Sequence, residues 1–125
     1  ANGWEVISAD QTNLVLKQPE WSAGILLHAT CEAAAPRRTL PVLARHLTFG
    51  LSDKKILEQS EETVTGLSAL RLLLQGRLDG QPVQVEAYVL KEGSCVYDMV
   101  YVAPPAEFSK GMADFRSFVS SFASR

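Results

Sequence analysis

The sequence predicts an α+β fold in which an antiparallel β-sheet meander carries two amphipathic helices. Three patterns indicate it. An alternating apolar segment at 95–102 leads through Pro104 and Pro105 into a helical segment, and from Ile56 onward apolar residues recur at every second position. Turn residues interrupt this alternation at regular intervals, at Thr65-Gly66, Asp79-Gly80 and Glu92-Gly93.

Strands are predicted both before and within the meander. Residues 4–8 and 13–17 are short strand-like runs, and 23–31 is an apolar run without a helical stripe, which we expect to be a strand buried on both faces. Between 70 and 89, leucines and valines alternate with residues such as Arg71, Gln84 and Glu86, and the Asp79-Gly80 pair is the strongest hairpin signal. We expect the last helix to cover the apolar side of this alternation.

Two helices complete the predicted fold. Thr39 suits an N-cap, Pro41 lies early in the first turn and Gly50 is a natural stop, which predicts a helix near 40–49. The second helix is predicted at 107–123. It carries apolar residues at three- and four-residue steps, namely Phe108, Met112, Phe115, Val119 and Phe122. Core packing is the favoured role of this stripe, and a hydrophobic ligand pocket is the alternative.

Composition limits the function classes. A chain of 125 residues fits a single domain, 1–125, with 46% hydrophobic and 21% charged residues, as in ordinary soluble domains. The net charge is −2 and no concentrated basic field is visible, so nucleic-acid binding is not predicted. The longest apolar stretch, 69–74, is broken by Arg71 and is far shorter than the roughly 18 to 20 residues that span a bilayer.

No residue pattern predicts an enzyme, a metal site or a cofactor. His28 and His46 are the only histidines, and His28 with Cys31 is a lone pair without a second ligand cluster. Two segments superficially resemble a nucleophile turn but are better interpreted as hairpin turns that enter a strand. They are Gly66-Leu67-Ser68 and Gly93-Ser94-Cys95.

One acidic concentration stands out, formed by Asp53, Glu58, Glu61 and Glu62. Calcium loops space several oxygen ligands around a glycine, which this segment lacks. We interpret it as a solvated edge strand whose charges oppose aggregation, and the neighbouring Lys54-Lys55 pair fits that interpretation.

Three segments carry a resemblance to a known family. They are the run 14–21 (LVLKQPEW), the Leu-rich strand that ends at Gly76 before the tight hairpin, and the ending 118–122 (FVSSF). These segments resemble the family of PsbP, the extrinsic subunit of photosystem II, and its bacterial relatives, many of which are lipoproteins. The resemblance implies a PsbP-like sandwich and a function in partner binding without chemistry. Relatives in this family include a photosystem subunit and a protein that binds a GTPase. No functional residues are transferred, because this sequence has no pattern that matches either of these roles.

The function expected from these observations is a non-enzymatic protein of the bacterial cell envelope that binds another protein. The chain begins with Ala1 and not Met, which fits a removed signal peptide as well as trimming of the sequence. We expect a lipoprotein on the periplasmic side, with its acylated cysteine upstream of Ala1 as its sole membrane contact. The alternatives are a cytoplasmic chaperone or adaptor that docks a secreted hydrophobic segment, and a small hydrophobic-ligand carrier.

Cys31 and Cys95 are the only cysteines and fall on two different predicted strands. Two cysteines in an exported protein often pair, and this bond would stabilise the fold by roughly 4 kcal/mol through chain entropy. The alternative is that both are small buried hydrophobic residues that never meet. A disulfide requires the two strands to be neighbours or to face each other, and the sequence leaves that open.

Overall fold

Seven strands and one helix make up the described part of the chain. The structure, a computed structural model, describes residues 3–9, 13–31, 51–92 and 95–123. The helix predicted near 40–49 lies outside these residues, so the two-helix prediction is met by one described helix. The elements are β1 (Glu5–Ala9), β2 (Asn13–Gln18), β3 (Ala23–Cys31), β4 (Ser52–Val64), β5 (Leu67–Leu78), β6 (Gln81–Glu92), β7 (Cys95–Ala103) and α1 (Phe108–Ala123).

All seven strands belong to one antiparallel sheet with the order β1-β2-β3-β7-β6-β5-β4. Strands β4 to β7 form the predicted meander, and β3 pairs with β7 on its other side. The chain connects β3, inside the sheet, with β4, at its edge, through residues 32–51. Strands β1 and β4 are therefore the two edges of the sheet among the described residues.

Two-residue turns join the long strands of the meander. Thr65-Gly66 links β4 to β5 with φ angles of 50° and 85°, and Asp79-Gly80 links β5 to β6 with φ angles of 52° and 81°. Positive φ at both central residues is the hairpin geometry that matches strand twist and favours Asp-Gly. The hairpin predicted at Asp79-Gly80 is confirmed, and Gly93 of the third predicted turn lies outside the described residues.

The last helix packs on the face of the sheet opposite to the predicted one. Its buried residues join a core on strands β3, β5, β6 and β7, which we call the helix-covered face, defined by Ile25, Ala69, Tyr88, Leu90, Met99 and Tyr101. The other face, which we call the aliphatic face, is defined by Leu70, Leu72, Leu74, Val83, Val85, Ala87, Val89 and Val96. The prediction that the helix covers the alternating leucines and valines is wrong. Both sides of β6 are buried, so the side with Glu86 and Tyr88 is not a solvent face.

Strand β3 also differs from its prediction. Ala23 and Ile25 are buried on the helix-covered side, but Leu26 on the opposite side is 41% exposed and His28 is exposed. The strand is therefore buried mainly on one face, because one side packs against α1 and the other side does not. An apolar run alone does not distinguish these cases.

Helix α1 is fixed near its start by a tyrosine of β7. The Tyr101 hydroxyl donates a hydrogen bond to the carbonyl of Phe108 (2.7 Å) and accepts one from the N–H of Gly111 (3.1 Å). A Cβ atom at position 111 would lie 2.8 Å from Cζ of Tyr101, so glycine permits this approach. Burial raises the pKa of Tyr101. With 16 residues, α1 is not long and apolar enough to cross a bilayer.

Candidate binding site beside the buried Glu86 carboxylate

A fully buried carboxylate lies between the sheet and α1. Glu86, in the middle of β6, has no exposed surface, and each of two arginines makes two polar contacts with it. Arg71 on β5 approaches Oε2 with Nε at 2.9 Å and Nη2 at 2.8 Å. Arg116 on α1 places Nη2 2.9 Å from Oε2 and Nε 3.2 Å from Oε1. Because an unpaired buried charge is costly, these contacts are what allow the carboxylate to be buried.

The strand register explains how these groups meet. Arg71 pairs with Tyr88 across the β5–β6 ladder, which puts its side chain diagonally next to Glu86 on the same face. On the other side, Arg71 Nη1 lies 2.8 Å from Oε1 of Glu58, a mostly exposed residue of β4. Burial would lower the pKa of Arg71, but its hydrogen bonds to Glu58 and Glu86 outweigh this effect and raise it. The hydrogen bond to Glu86 raises the pKa of Arg116 as well.

A cleft of about 290 Å³ opens next to this ionic cluster, between the C-terminal half of α1 and the end of β4. The residues that line it come from β4 and the turn after it, from β6 and from α1. They are Glu62, Thr63, Val64, Thr65, Tyr88, Arg116, Val119 and Ser120. Burial, followed by the nearby carboxylates of Glu86 and Glu62, raises the pKa of Tyr88. The cleft lining thus combines a guanidinium, a carboxylate and two valines.

The charged groups of this arrangement are engaged with one another. Both arginines engage the Glu86 carboxylate, so it is not poised as a free general base. The nearby hydroxyls belong to threonine, serine and tyrosine residues, and the cleft lining contains no histidine or cysteine. Among the described residues, no group of three or more His, Cys, Asp or Glu side chains is arranged to hold a metal ion.

A cluster of aromatic rings lies at the other side of α1. Trp4 donates its indole N–H to Oδ2 of Asp114 on the helix (2.9 Å). Its ring meets those of Trp21 and Tyr101 in edge-on contacts, with centroids 6.2 and 6.3 Å apart. The two tryptophans are half-buried and join the helix-covered core from the β1–β3 end.

The two cysteines meet. Cys31 ends β3 and Cys95 begins β7, and they are direct partners in the ladder between these strands. Their Cα atoms are 4.0 Å apart and their sulfur atoms, at 2.04 Å, are bonded. The strand adjacency that the sequence left open is therefore present. Both cysteines lie on the helix-covered side, in line with Ala29 and Tyr97.

The other candidate residues that the structure describes do not assemble into a site. His28 lies exposed on β3 opposite Asp98 of β7, whereas His46 is outside the described residues. Gly66 lies in the β4–β5 turn, as predicted, while Gly93 and Ser94 lie outside the described range. The acidic residues Asp53, Glu58, Glu61 and Glu62 lie along β4, which is an edge strand as expected.

The aromatic stripe of α1 packs into the core. Phe108, Phe115 and Val119 are buried, and Met112 and Phe122 are half-buried against the same cluster. Phe115 stacks on Tyr101 at 5.7 Å between centroids, and Phe122 contacts Tyr97 edge-on at 4.9 Å. The stripe has the core-packing role that the sequence favoured, and the cleft lies beside it.

Comparison with known proteins identifies the fold. No family model matches the sequence, and no curated protein matches it either. Among solved structures, cyanobacterial PsbP of Synechocystis is similar over 96% of this chain and 80% of its own, with a TM-score of 0.65 and 9% identity. The fold is PsbP-like.

Two further structures share the PsbP-like fold. LpqN of Mycobacterium tuberculosis, described as involved in cell envelope biogenesis, has a TM-score of 0.69 and 17% identity, covering 97% of this chain and 77% of its own. A Pseudomonas aeruginosa protein of unknown function, described as a putative regulator, has a TM-score of 0.74 and 13% identity, covering 96% of both chains. At these identities the similarity concerns the fold.

The ionic cluster was not among the sequence-based predictions, although part of it was predictable. A two-residue turn at Asp79-Gly80 fixes the β5–β6 register and so places Arg71 diagonally next to Glu86. The alternation suggested that both side chains face solvent, and nothing in it indicated that a helix covers them. Arg116 carried no signal, because its contact with Glu86 depends on where α1 lies on the sheet.

Proposed function

We propose that this chain is a non-enzymatic protein of the bacterial cell envelope that works outside the cytoplasm by binding another protein. The observation that carries the location is the pairing of Cys31 with Cys95. Disulfides persist in oxidising compartments such as the periplasm and are rare in the cytosol, where thiols are kept reduced. The chain has two cysteines, so neither remains as a free thiol once they are paired.

The fold comparison supports the same location. LpqN shares the PsbP-like fold and is described as involved in cell envelope biogenesis. The finer part of the proposal is that the mature protein is lipid-anchored on the periplasmic side, through an acylated cysteine upstream of Ala1. A cytoplasmic adaptor, the second candidate from the sequence, would hold Cys31 and Cys95 as thiols, so the paired cysteines favour the envelope.

Protein binding is supported by the chemistry of the cleft beside Glu86. It is open and of modest size, it combines the Arg116 guanidinium and the Glu62 carboxylate with Val64 and Val119, and it contains no residue set for catalysis. A polar rim around a few apolar side chains is typical of surfaces that recognise other proteins.

Localisation is tested by expressing the complete gene in its host, separating the cell fractions and alkylating thiols under denaturing conditions. The proposal expects the protein in the envelope fraction, with no alkylated thiol unless reductant is added. Incorporation of a labelled fatty acid tests the lipid anchor separately. Two alkylated thiols without reductant, in a protein found in the cytosol, would reject the envelope location.

Partner binding is tested with a photo-crosslinking amino acid at Ser120, which is exposed and lines the cleft. The matched control carries the same amino acid at Glu20, exposed in the β2–β3 turn. We expect one crosslinked partner at position 120 that excess unlabelled protein competes away, and none at position 20. Equal labelling at both positions would reject the cleft as the binding surface.

A further inference from the structure

The charges around the cleft beside the ionic cluster do not balance. The two arginines of the cluster, on β5 and α1, are matched in charge by the two glutamates that they contact, Glu58 and Glu86. Glu62 remains in the cleft lining, where its carboxylate accepts a hydrogen bond from the hydroxyl of Ser60 (2.9 Å). Among the described residues, Glu62 has no ion-pair partner. The cleft therefore carries excess negative charge, although an arginine lines it.

A second recess continues this acidic surface. It has a volume of about 410 Å³ and shares Glu62 and Thr63 with the cleft. Glu61 also lines it, together with Ser68 and Ala69, and none of these described lining residues is basic. Glu61 has no ion-pair partner in the part of the chain that the structure describes. A partner that covers both recesses therefore meets two carboxylates that no described residue neutralises.

A tyrosine hydroxyl at the cleft provides a second, independent observation. Tyr88 lines the cleft and is only 6% exposed, yet its hydroxyl has no hydrogen-bond partner among the described residues. Buried polar groups are normally hydrogen-bonded, so an open bonding position at the wall of a cleft suits a ligand atom. The phenolic oxygen can accept a hydrogen bond from an N–H group, as the Glu62 carboxylate can. Both groups therefore suit a donor that carries positive charge.

The size and the remaining lining of the cleft define the shape of this donor. Its volume of about 290 Å³ lies at the lower limit of small-molecule pockets, roughly 300 to 1,000 Å³, and suits one inserted side chain. Val64 and Val119 add apolar surface to the same lining. Lysine and arginine combine an aliphatic stem, which packs on apolar surface, with a cationic tip. A carboxylate would instead meet the charge of Glu62 and an Arg116 that Glu86 already engages.

From these observations we infer that the cleft binds a lysine or arginine side chain of the partner protein, with the cation between the Glu62 carboxylate and the Tyr88 hydroxyl. The inference rests on the proposed function, since it specifies what the same cleft recognises in its partner. Arg116 leaves room for this cation electrostatically, because its own charge is paired with Glu86 at 2.9 Å. Glu61, in the adjoining recess, favours a second basic residue in the same partner segment.

Short capped peptides test the cation before the partner is known. The probes are glycine–lysine–glycine, the same peptide with an acetylated lysine, and glycine–glutamate–glycine, each added at millimolar concentrations to the isotope-labelled chain. By NMR, we expect the lysine peptide to shift the amide signals of Glu62, Thr65 and Ser120 saturably, and the other two peptides to leave them unchanged. Glu62→Gln removes the charge at an exposed position and should weaken binding of the lysine peptide roughly three- to tenfold. Tyr88→Phe, which removes one uncharged acceptor, should weaken it less.

The matched control is Glu20→Gln, the same substitution at an exposed position of the β2–β3 turn, which should leave binding unchanged. The inference is overturned if the lysine peptide causes no saturable shift, if the glutamate peptide binds at these amides, or if the Glu62→Gln variant binds equally well. The photo-crosslink at Ser120 separates this failure from that of the proposed function. A crosslinked partner that Glu62→Gln leaves unchanged overturns only the basic side chain, whereas the absence of a crosslink in the unmodified chain rejects the proposed function and the inference together.

Discussion

The helix-covered face and the aliphatic face of the sheet are both buried, but their side chains differ in kind. Leucine, valine and alanine make up the buried aliphatic face. The helix-covered face instead combines tyrosine and tryptophan rings with the ionic cluster of Arg71, Glu86 and Arg116. Both faces remove apolar surface from water, which stabilises the fold but does not fix how the packed elements are oriented, because the hydrophobic effect is non-directional. The helix-covered face adds contacts that depend on distance and angle.

These directional contacts explain how α1 is positioned. Tyr101 holds its start through Phe108 and Gly111, Glu86 holds its middle through Arg116, and Tyr97 meets Phe122 near its end. A helix held only by aliphatic contacts could slide by a turn with little change in buried area. The difference between the faces indicates that apolar area provides stability and the polar and ring contacts provide position.

The largest predicted effect comes from uncovering the helix-covered face. Deleting residues 115–125 removes Phe115, Phe118 and Phe122, each worth roughly 3 to 5 kcal/mol, against a typical total stability of about 5 to 15 kcal/mol. We expect the truncated chain to show no cooperative thermal transition by circular dichroism. As a milder matched pair, Phe115→Ala and Leu72→Ala create one cavity on each face and should both leave a folded protein. A truncated chain that melts cooperatively would contradict the prediction that the sheet needs α1 packed on this face in order to fold.

The next largest effect concerns the ionic cluster around Glu86, whose contacts position α1. Glu86→Leu leaves the Arg71 side chain, only 12% exposed, without its buried partner, and we expect a loss of about 3 to 5 kcal/mol in denaturant unfolding. Replacing the whole cluster, with Glu86→Leu, Arg71→Met and Arg116→Met together, should recover most of this loss, because no charge is left unpaired.

The control for the cluster is Glu58→Gln. This residue contacts the same arginine but its side chain is 59% exposed, so the expected loss is below about 1 kcal/mol. Equal losses for Glu86→Leu and Glu58→Gln would mean that burial does not distinguish the two carboxylates. If the triple variant does not regain the lost free energy of unfolding, the cluster contributes more stability than the pairing of its own charges requires.

The sequence predicted most of the fold because its strongest signals are local. Turn chemistry at Asp79-Gly80 and the period of two through 67–89 define the meander, and the stripe from Phe108 to Phe122 defines α1. The face that α1 covers was mispredicted because both sides of β6 are buried, and hydrophobic alternation then contains no information about which side meets a helix. Tyr88 and Met99 were the better guides, since they share a side with Tyr101.

The site was less predictable because it depends on tertiary placement. The Cys31–Cys95 pairing required β3 to lie next to β7, a neighbour relation between strands separated by more than half of the chain. Arg71 and Glu86 were visible as charges in strands, but only the helix above them turns a solvent face into a buried ionic cluster. Neither relation leaves a periodic trace in the sequence.

A smaller effect tests the helix start. Gly111→Ala would place Cβ 2.8 Å from Cζ and 2.9 Å from Cε1 of Tyr101, and we expect it to lose about 1 to 2 kcal/mol even though alanine favours helices. Ala113→Gly, at an exposed position of the same helix, should lose about 1 kcal/mol from propensity alone. In combination with Tyr101→Phe, the cost of Gly111→Ala should fall, because the hydroxyl that crowds it is gone. Strict additivity of the two changes would contradict the contact.

The smallest effect, absent near neutral pH, concerns the ionisation of the tyrosines. Tyr88, Tyr97 and Tyr101 are the three tyrosines of the chain, and all lie on the helix-covered face. Burial raises the pKa of Tyr88 and of Tyr101 above 10.0, the value for an unperturbed tyrosine.

The raised pKa values set the sign of the pH dependence. The folded state holds these phenolic protons more tightly than the unfolded state, so the stabilisation is complete below about pH 10 and is lost as the pH rises towards the folded-state values. We expect the free energy of unfolding to fall above pH 10, together with tyrosinate absorbance that appears as the protein unfolds. Tyr88→Phe should flatten this decline in part. The difference between the variant and the unmodified chain, and not the decline itself, decides the outcome. An identical decline in both would show that Tyr88 is not held protonated by the packing of α1.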